Sequence, residues 1–295
     1  MEEKKREMEK ETEKICKRCK QSHAGSSNTS ASCQFYASKT FFDSSKRRRI
    51  AWGWIAEMDG DANALEKGWS IPRSILLSKT GKQLIQWPIK EIETLRAENV
   101  SIQEKQLKGG SVLEVLGVTA SQADVEVAFD LTNLKKAEFM VPDGVDPRAL
   151  GSQQTASLRG MVGPFGLLVL ASQGLTEQTA VFVRIFRSRG KYVVPMCSDQ
   201  SRSTFREGPD KTTYGAFIDI DPRQEKITLR TPIDHSFVDS FSGKGRACIT
   251  ARVYPALAVD SQAHLYVFNN GTVDVTISRL DAWSMKKAQL VSANI

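Results

Sequence analysis

The sequence predicts an all-β protein, with about one blade of a β-propeller followed by a β-sandwich, and three observations carry that reading. Four short aromatic and β-branched segments, separated by polar turns, fall between Phe35 and Pro88. Period-two alternation then sets in, with Val125, Val127 and Phe129 on one face and Val181, Val183 and Ile185 on another. Gly, Pro, Asp and Asn turns divide this second region into many short strands over roughly 200 residues, the pattern of a sandwich.

Residues 1–34 open with MEEKKREMEKETEKICKRCK, mixed in charge and poor in apolar residues, and continue into a Ser-, Gly- and Asn-rich stretch. They are expected to form a charged, disordered tail. From Phe35 the segments FYASKTFF, IAWGWIAE, WSIPRSILL and KQLIQWP read as four strands, which suits one propeller blade or a small meander. Lys46-Arg47-Arg48-Arg49 is expected to be the turn between the first two. PIKEIETLRAE, residues 88–98, carries Ile89, Ile92 and Leu95 at helical spacing after a proline and reads as a short helix or linker. The blade and linker thus occupy residues 35–96 and the sandwich residues 97–295. Within the sandwich, GLLVLAS, KYVVPMCS, AFIDID, KITLR, ACITARVYP and HLYVFNN are the expected strands.

Composition excludes several function classes. With 40% hydrophobic and 25% charged residues the chain has the apolar material for one or two packed domains. No window approaches a membrane-spanning apolar run, and Met1 is followed by Glu2, Glu3, Lys4 and Lys5 rather than an apolar secretory core. The net charge of +7 comes without any nucleic-acid-binding motif, so no nucleic-acid partner is expected, and weak attraction to an acidic polysaccharide accounts for it as well. Cys16, Cys19, His23 and Cys33 have a zinc-like opening. They lack apolar residues to close a small metal domain, so neither a metal nor a cofactor is expected.

A string of segments carries a more specific signal: FYASKTFFD (35–43), RIAWGWIAEMD (49–59), IPR (71–73), GKQLIQWPIKEIETLR (81–96), GPFGLLVLAS (163–172), MCSD (196–199), IDHSFVDSF (233–241), CITARVYP (248–255), LYVFNNGT (265–272) and LDAWSMKK (280–287). In this order they resemble the second half of plant acid invertases of the cell-wall type, members of glycoside hydrolase family 32, which also holds the fructan exohydrolases. The resemblance implies a five-bladed propeller followed by a sandwich, with sucrose or a fructan bound in the propeller funnel. It also implies secretion to the cell wall or apoplast. Cleavage there retains configuration, with one carboxylate as nucleophile and another as acid/base about 5 to 5.5 Å away.

In that family the nucleophile lies in N-D-P-N-G, a stabilising Asp in R-D-P and the acid/base in E-C, all upstream of the segment matched by Phe35. None of the three motifs occurs in these 295 residues. The Asp-Pro pairs at Asp146-Pro147 and Asp221-Pro222 lack their flanking residues. No catalytic residue is therefore assigned, and the chain by itself is expected to be inactive; a truncated or decaying gene copy would look like this. The family often has Asp-Tyr-Gly just before the FYASK segment, where Ala31-Ser32-Cys33-Gln34 stand here, and Lys67-Gly68-Trp69-Ser70-Ile71-Pro72-Arg73 is shorter than the family's version. The resemblance further implies a disulfide partner for Cys197, at a position where Gly151 stands.

Tyr36, Trp52 and Trp54 are the candidate substrate-binding residues, because the resemblance places them on the funnel side of the last blade and aromatic rings suit the apolar face of a sugar. Trp52 and Trp54 share one side of a strand by alternation, so core packing is the competing reading. Glu57 and Asp59 read as a solvated or salt-bridged pair. Asp234, His235, Ser236 and Asp239 contain the residue types of a hydrolase triad but are expected in a single strand-like run. His264 is expected at the surface or in a turn. Asn28, Asn99 and Asn270 head N-x-S/T sequons and are the glycosylation candidates, Asn270 the best placed, in a turn after a strand. Association with an intact invertase chain is a further expected partnership.

Overall fold

The computed structural model describes residues 35–55, 68–79, 81, 83–140, 145, 150, 153 and 155–288. The expected tail, with Asn28 and the cysteines of the zinc-like motif, lies outside these residues, as do Glu57, Asp59 and Gly151.

The aromatic segments form strands β1 (Phe35–Asp43), β2 (Arg48–Ile55), β3 (Arg73–Leu77) and β4 (Leu84–Pro88), which pair antiparallel in the order β1-β2-β3-β4. The basic run closes the β1–β2 turn with Lys46 and Arg47 and opens β2 with Arg48 and Arg49, so the expected turn holds only its first half. Its charges are met locally: Arg48 donates to Asp43 at 3.0 Å and to Glu91 at 2.6 and 2.9 Å. The proline-led segment becomes a short 3-10 helix, Lys90–Leu95, and the chain leaves it directly into β5 (Arg96–Leu107).

The following strands are β6 (Ser111–Glu114), β7 (Gln122–Leu131), β8 (Glu138–Phe139), β9 (Phe165–Ala171), β10 (Thr179–Val183), β11 (Phe186–Ser188) and β12 (Lys191–Val193). Then come β13 (Pro195–Asp199), β14 (Thr213–Phe217), β15 (Ile227–Asp234), β16 (Phe237–Ser242), β17 (Ala247–Arg252), β18 (His264–Asn269) and β19 (Val275–Met285). They build two six-stranded sheets, ordered β14-β13-β10-β9-β18-β6 and β17-β16-β15-β7-β19-β5, and a small sheet β12-β11-β8.

Alternation decides which side chains enter the core between the sheets. Val125, Val127 and Phe129 face Leu167, Val169, Val181, Val183 and Val267, all essentially inaccessible to solvent. Phe129 and Phe165 meet edge to face at 5.0 Å, joining the two layers. Their even-numbered neighbours Leu168, Phe182, Tyr266 and Phe268 point the other way, into a smaller apolar cluster on the outer face of the first sheet.

Several strands escaped the sequence reading, the short β6, β8 and β11 and the long β5 and β19. β5 carries so many charges that its alternation is masked, and β19 is interrupted by Arg279 and Asp281, yet the two pair along nearly their full lengths. AFIDID is a strand only through Phe217, the end of β14. The run from Asp234 to Asp239 is not one strand. His235, at φ 51°, turns the chain between β15 and β16 so that Asp234 pairs with Phe237.

Candidate functional site

The blade presents two faces of different chemistry. Cross-strand register puts Ala51 beside Arg73 and Phe35 beside Ile55, so Ala51, Gly53, Ile55 and Arg73 share one face. Glycine is required at 53 because the Phe35 ring fills the space a Cβ would take, 2.4 Å away. This face turns to the sandwich, where Arg73 enters as a fully buried side chain.

The environment of Arg73 is built from three strands. Its Nη2 donates to Asp239 Oδ1 at 2.7 Å and to the Thr250 hydroxyl, and its Nη1 to Cys248 Sγ at 3.0 Å. The other Asp239 oxygen accepts from the Ile71 backbone N–H at 3.2 Å. The guanidinium also lies over the rings of Phe35 and Phe241, 4.9 and 5.2 Å from their centroids. Burial opposes the charge on Arg73, but Asp239, with a smaller part from Cys248, outweighs it and holds the guanidinium above its ordinary range. Burial also pushes the Cys248 thiol up to about 12.

A second set of charges ties down the connecting helix. Asp124, fully buried, accepts from Arg96 at 2.6 and 2.8 Å and from Arg230 at 2.8 and 3.1 Å. Arg230 also donates to Glu93 at 3.2 Å and lies over Trp87 of the blade. Trp87 in turn meets Phe241 edge to face at 5.8 Å.

The opposite face of the blade is aromatic and open. Trp52 and Trp54 lie on it together, as alternation requires. Trp54 packs on Trp69 with centroids 4.2 Å apart, and Trp52 lies 6.0 Å from Phe41. Trp52 is 38% exposed and Trp69 50%, so they are not core residues. Trp69, which the sequence reading did not single out, joins through an isolated bridge to Trp54; its position in the WSIPR segment was the available signal. Tyr36 is opposite Trp54 in the backbone register.

The residue types of the supposed triad are dispersed. Asp239 is committed to Arg73, the Ser236 hydroxyl accepts from Arg252, and His235 lies at an exposed turn near Asp234 and Asp260. His264 is half-buried at the start of β18, not in a turn, with Nδ1 2.6 Å from Glu114. Cys197 is a free thiol, fully enclosed on β13, and burial, reinforced by Asp199, pushes it up to about 12. Of the sequon asparagines, Asn99 is exposed on the edge strand β5, whereas the Asn270 amide is already spent on the Ala156 and Ser157 carbonyls at 3.0 and 3.2 Å.

Residues 91–284 match the family model described as Glycosyl hydrolases family 32 C terminal, and residues 7–88 the one described as Glycosyl hydrolases family 32 N-terminal domain. The chain belongs to glycoside hydrolase family 32. The family-32 chain is 53% identical over 261 residues to a fructan 6-exohydrolase of Beta vulgaris, covering 87% of this chain and 43% of that protein. It is 55% identical over 265 residues to the beta-fructofuranosidase, insoluble isoenzyme CWINV1, of Arabidopsis thaliana, covering 87% of this chain and 45% of that one. The fold superimposes on the crystal structure of fructan 1-exohydrolase IIa from Cichorium intybus with a TM-score of 0.84 at 53% identity, over 90% of this chain and 50% of the other. The chain thus spans about half the length of the relatives it matches. The all-β architecture, a propeller remnant followed by a sandwich, is that of this family. No helix among the described residues is long and apolar enough to cross a membrane.

Proposed function

We propose that the chain supplies the C-terminal half of a glycosidase that cleaves terminal β-D-fructofuranosides of sucrose or fructans in the plant cell wall, and that the 295-residue polypeptide alone does not hydrolyse them. The observation that carries the first part is the blade's open face, where Trp52, Trp54 and Trp69 form an aromatic surface. Such a surface suits a sugar ring. The chicory relative has been solved, in a variant form, with 1-kestose. The second part follows from chemistry. A retaining glycosidase needs two carboxylates in fixed positions, and the motifs that hold them in the family are absent from this sequence.

The deciding experiment is hydrolysis of sucrose and inulin at mildly acidic pH by the purified chain, with an intact plant invertase as positive control. No turnover above a blank lysate is expected. Turnover would mean that residues other than the family's motifs supply both carboxylates.

A second reading, a non-catalytic module that binds carbohydrate or associates with an intact invertase, is favoured by one observation. β1 is an edge strand of the blade sheet, and Phe41, Phe42, Leu76 and Leu77 are exposed on that sheet.

A further inference from the structure

The sequon Asn99-Val100-Ser101 lies on β5, the outermost strand of the sheet ordered β17-β16-β15-β7-β19-β5. Val100 and Ile102 turn inward and pack on the central core, Val100 opposite Ala282 and Ile102 opposite Leu280. Alternation therefore sends Asn99 and Ser101 to the outer face, and both are exposed there. Asn270 is presented differently. Its amide is spent on the Ala156 and Ser157 carbonyls, so a glycan there would take the place of one of those donors.

The residue directly opposite Asn99 is Trp283 of β19. Directly opposed residues of an antiparallel pair share a face, with their Cβ atoms about 4.5 to 5.5 Å apart. The indole is half-buried and pinned in place. The Arg96 guanidinium lies over it, 3.7 Å from the ring centroid, and Arg96 is itself fixed by Asp124 at 2.6 and 2.8 Å and by Glu126. A held aromatic ring beside an exposed sequon asparagine is a surface that the C–H face of a pyranose can cover. The strand has its own need of cover. β5 runs for 12 residues at the border of its sheet, and a border strand presents unpaired backbone groups to other chains unless something bulky or charged shields it.

We infer that Asn99 is an N-glycosylation site whose first N-acetylglucosamine lies against Trp283 and shields the border of β5. The donor is a polyprenyl-diphosphate-linked oligosaccharide of the secretory pathway, and the Ser101 hydroxyl completes the sequon that the transferase reads. In the transfer the bond from Asn99 Nδ2 to the sugar C1 forms and the C1–O bond to the diphosphate breaks. The amide loses one proton to water, and the polyprenyl diphosphate leaves with the electrons of the broken bond. The inference rests on the proposed cell-wall location, since only a chain that enters the secretory pathway meets this donor.

The test sends the full chain, behind an added signal peptide, through the secretory pathway of yeast grown on carbon-13-labelled glucose. Glycopeptide mass spectrometry of the recovered protein is expected to find a glycan on at least half of the Asn99 peptide, and none on it in Ser101→Ala. The glycans are then trimmed to a single N-acetylglucosamine, and the NMR signals missing from Ser101→Ala assign the sugar on Asn99. Its carbon-bound protons are expected roughly a few tenths of a part per million upfield of the same sugar in the proteolysed peptide, the ring-current effect of an indole stacked on it. Trp283→Leu should keep the glycan and lose that shift. The comparison of folded and proteolysed wild type reports even if Trp283→Leu folds poorly. A bare Asn99, or a sugar whose signals in the folded protein match those in the peptide, overturns the inference. Because the signal peptide is supplied, a bare Asn99 counts against the site itself, while the sucrose and inulin assay decides the proposed function separately.

Discussion

Arg73 and Asp239 are 166 residues apart in sequence and 2.7 Å apart in space, both almost wholly buried. The pair joins the third strand of the blade to β16 of the sandwich. Asp239 also holds the Ile71 N–H, so one carboxylate fixes both the direction of β3 and the loop that leads into it. A buried charge pair of this kind is weak evidence for net stability, because desolvation offsets much of the attraction. What it does supply is orientation: only one seating of the blade leaves neither charge unpaired.

Removing one partner is therefore expected to cost far more than the pair contributes. Asp239→Asn should destabilise the protein by about 3 to 5 kcal/mol, since Arg73 is left charged in a dry site. Urea denaturation measures this. Limited proteolysis of the variant should cut residues 35–96 first and leave residues 97–295 as the resistant part. A stable 35–96 fragment, or a loss well under 1 kcal/mol, would contradict the assignment.

Glu177 performs a quieter structural task. Its carboxylate, fully buried, accepts the backbone N–H groups of Ala256, Leu257 and Ala258 at 2.8, 2.6 and 2.9 Å. Glu177→Ala would leave three backbone donors without their acceptor, one of them, the Ala258 N–H, buried, and is expected to cost about 1 to 3 kcal/mol, with Glu177→Gln milder because one acceptor oxygen remains. Equal losses in the two variants, read from thermal melts, would count against this account.

Acid should act on the contact between the basic turn and the connecting helix only below the usual carboxylate range. The Glu91 carboxyl, bonded to Arg48 and then to Lys46, is lowered from 4.5 to about 2. A depressed carboxyl contributes stability that is present above its unfolded value and lost as pH falls through the folded one. The contact should thus persist at pH 5 and disappear between pH 4.5 and 2, with little effect on the global melt because the group is partly solvated. Carboxyl-detected NMR titration checks it; a Glu91 midpoint above 4 would refute the pairing.

The strands of the blade, the basic turn, the proline-led helix and most of the sandwich were legible because alternation and turn residues are local signals. Family membership was legible too, in motifs such as RIAWGWIAEMD and LYVFNNGT. The strands β5 and β19 were not, since charged and polar residues interrupt the alternation of each, and β5 is placed only by pairing with β19, which itself lies between β5 and β7. The His235 turn was missed for a different reason: a left-handed histidine leaves no mark that sequence alone distinguishes from an extended one.

By itself, then, the sequence determined the fold class, the family and the absence of its catalytic motifs. Only the tertiary structure decided which aromatic residues stand open on the blade and that Asp239 serves Arg73 rather than a triad. The physical reason is separation along the chain. Periodicity reports which face a side chain takes within its own strand, whereas the partner waiting on that face can come from a strand 177 residues away and is chosen by how the layers pack.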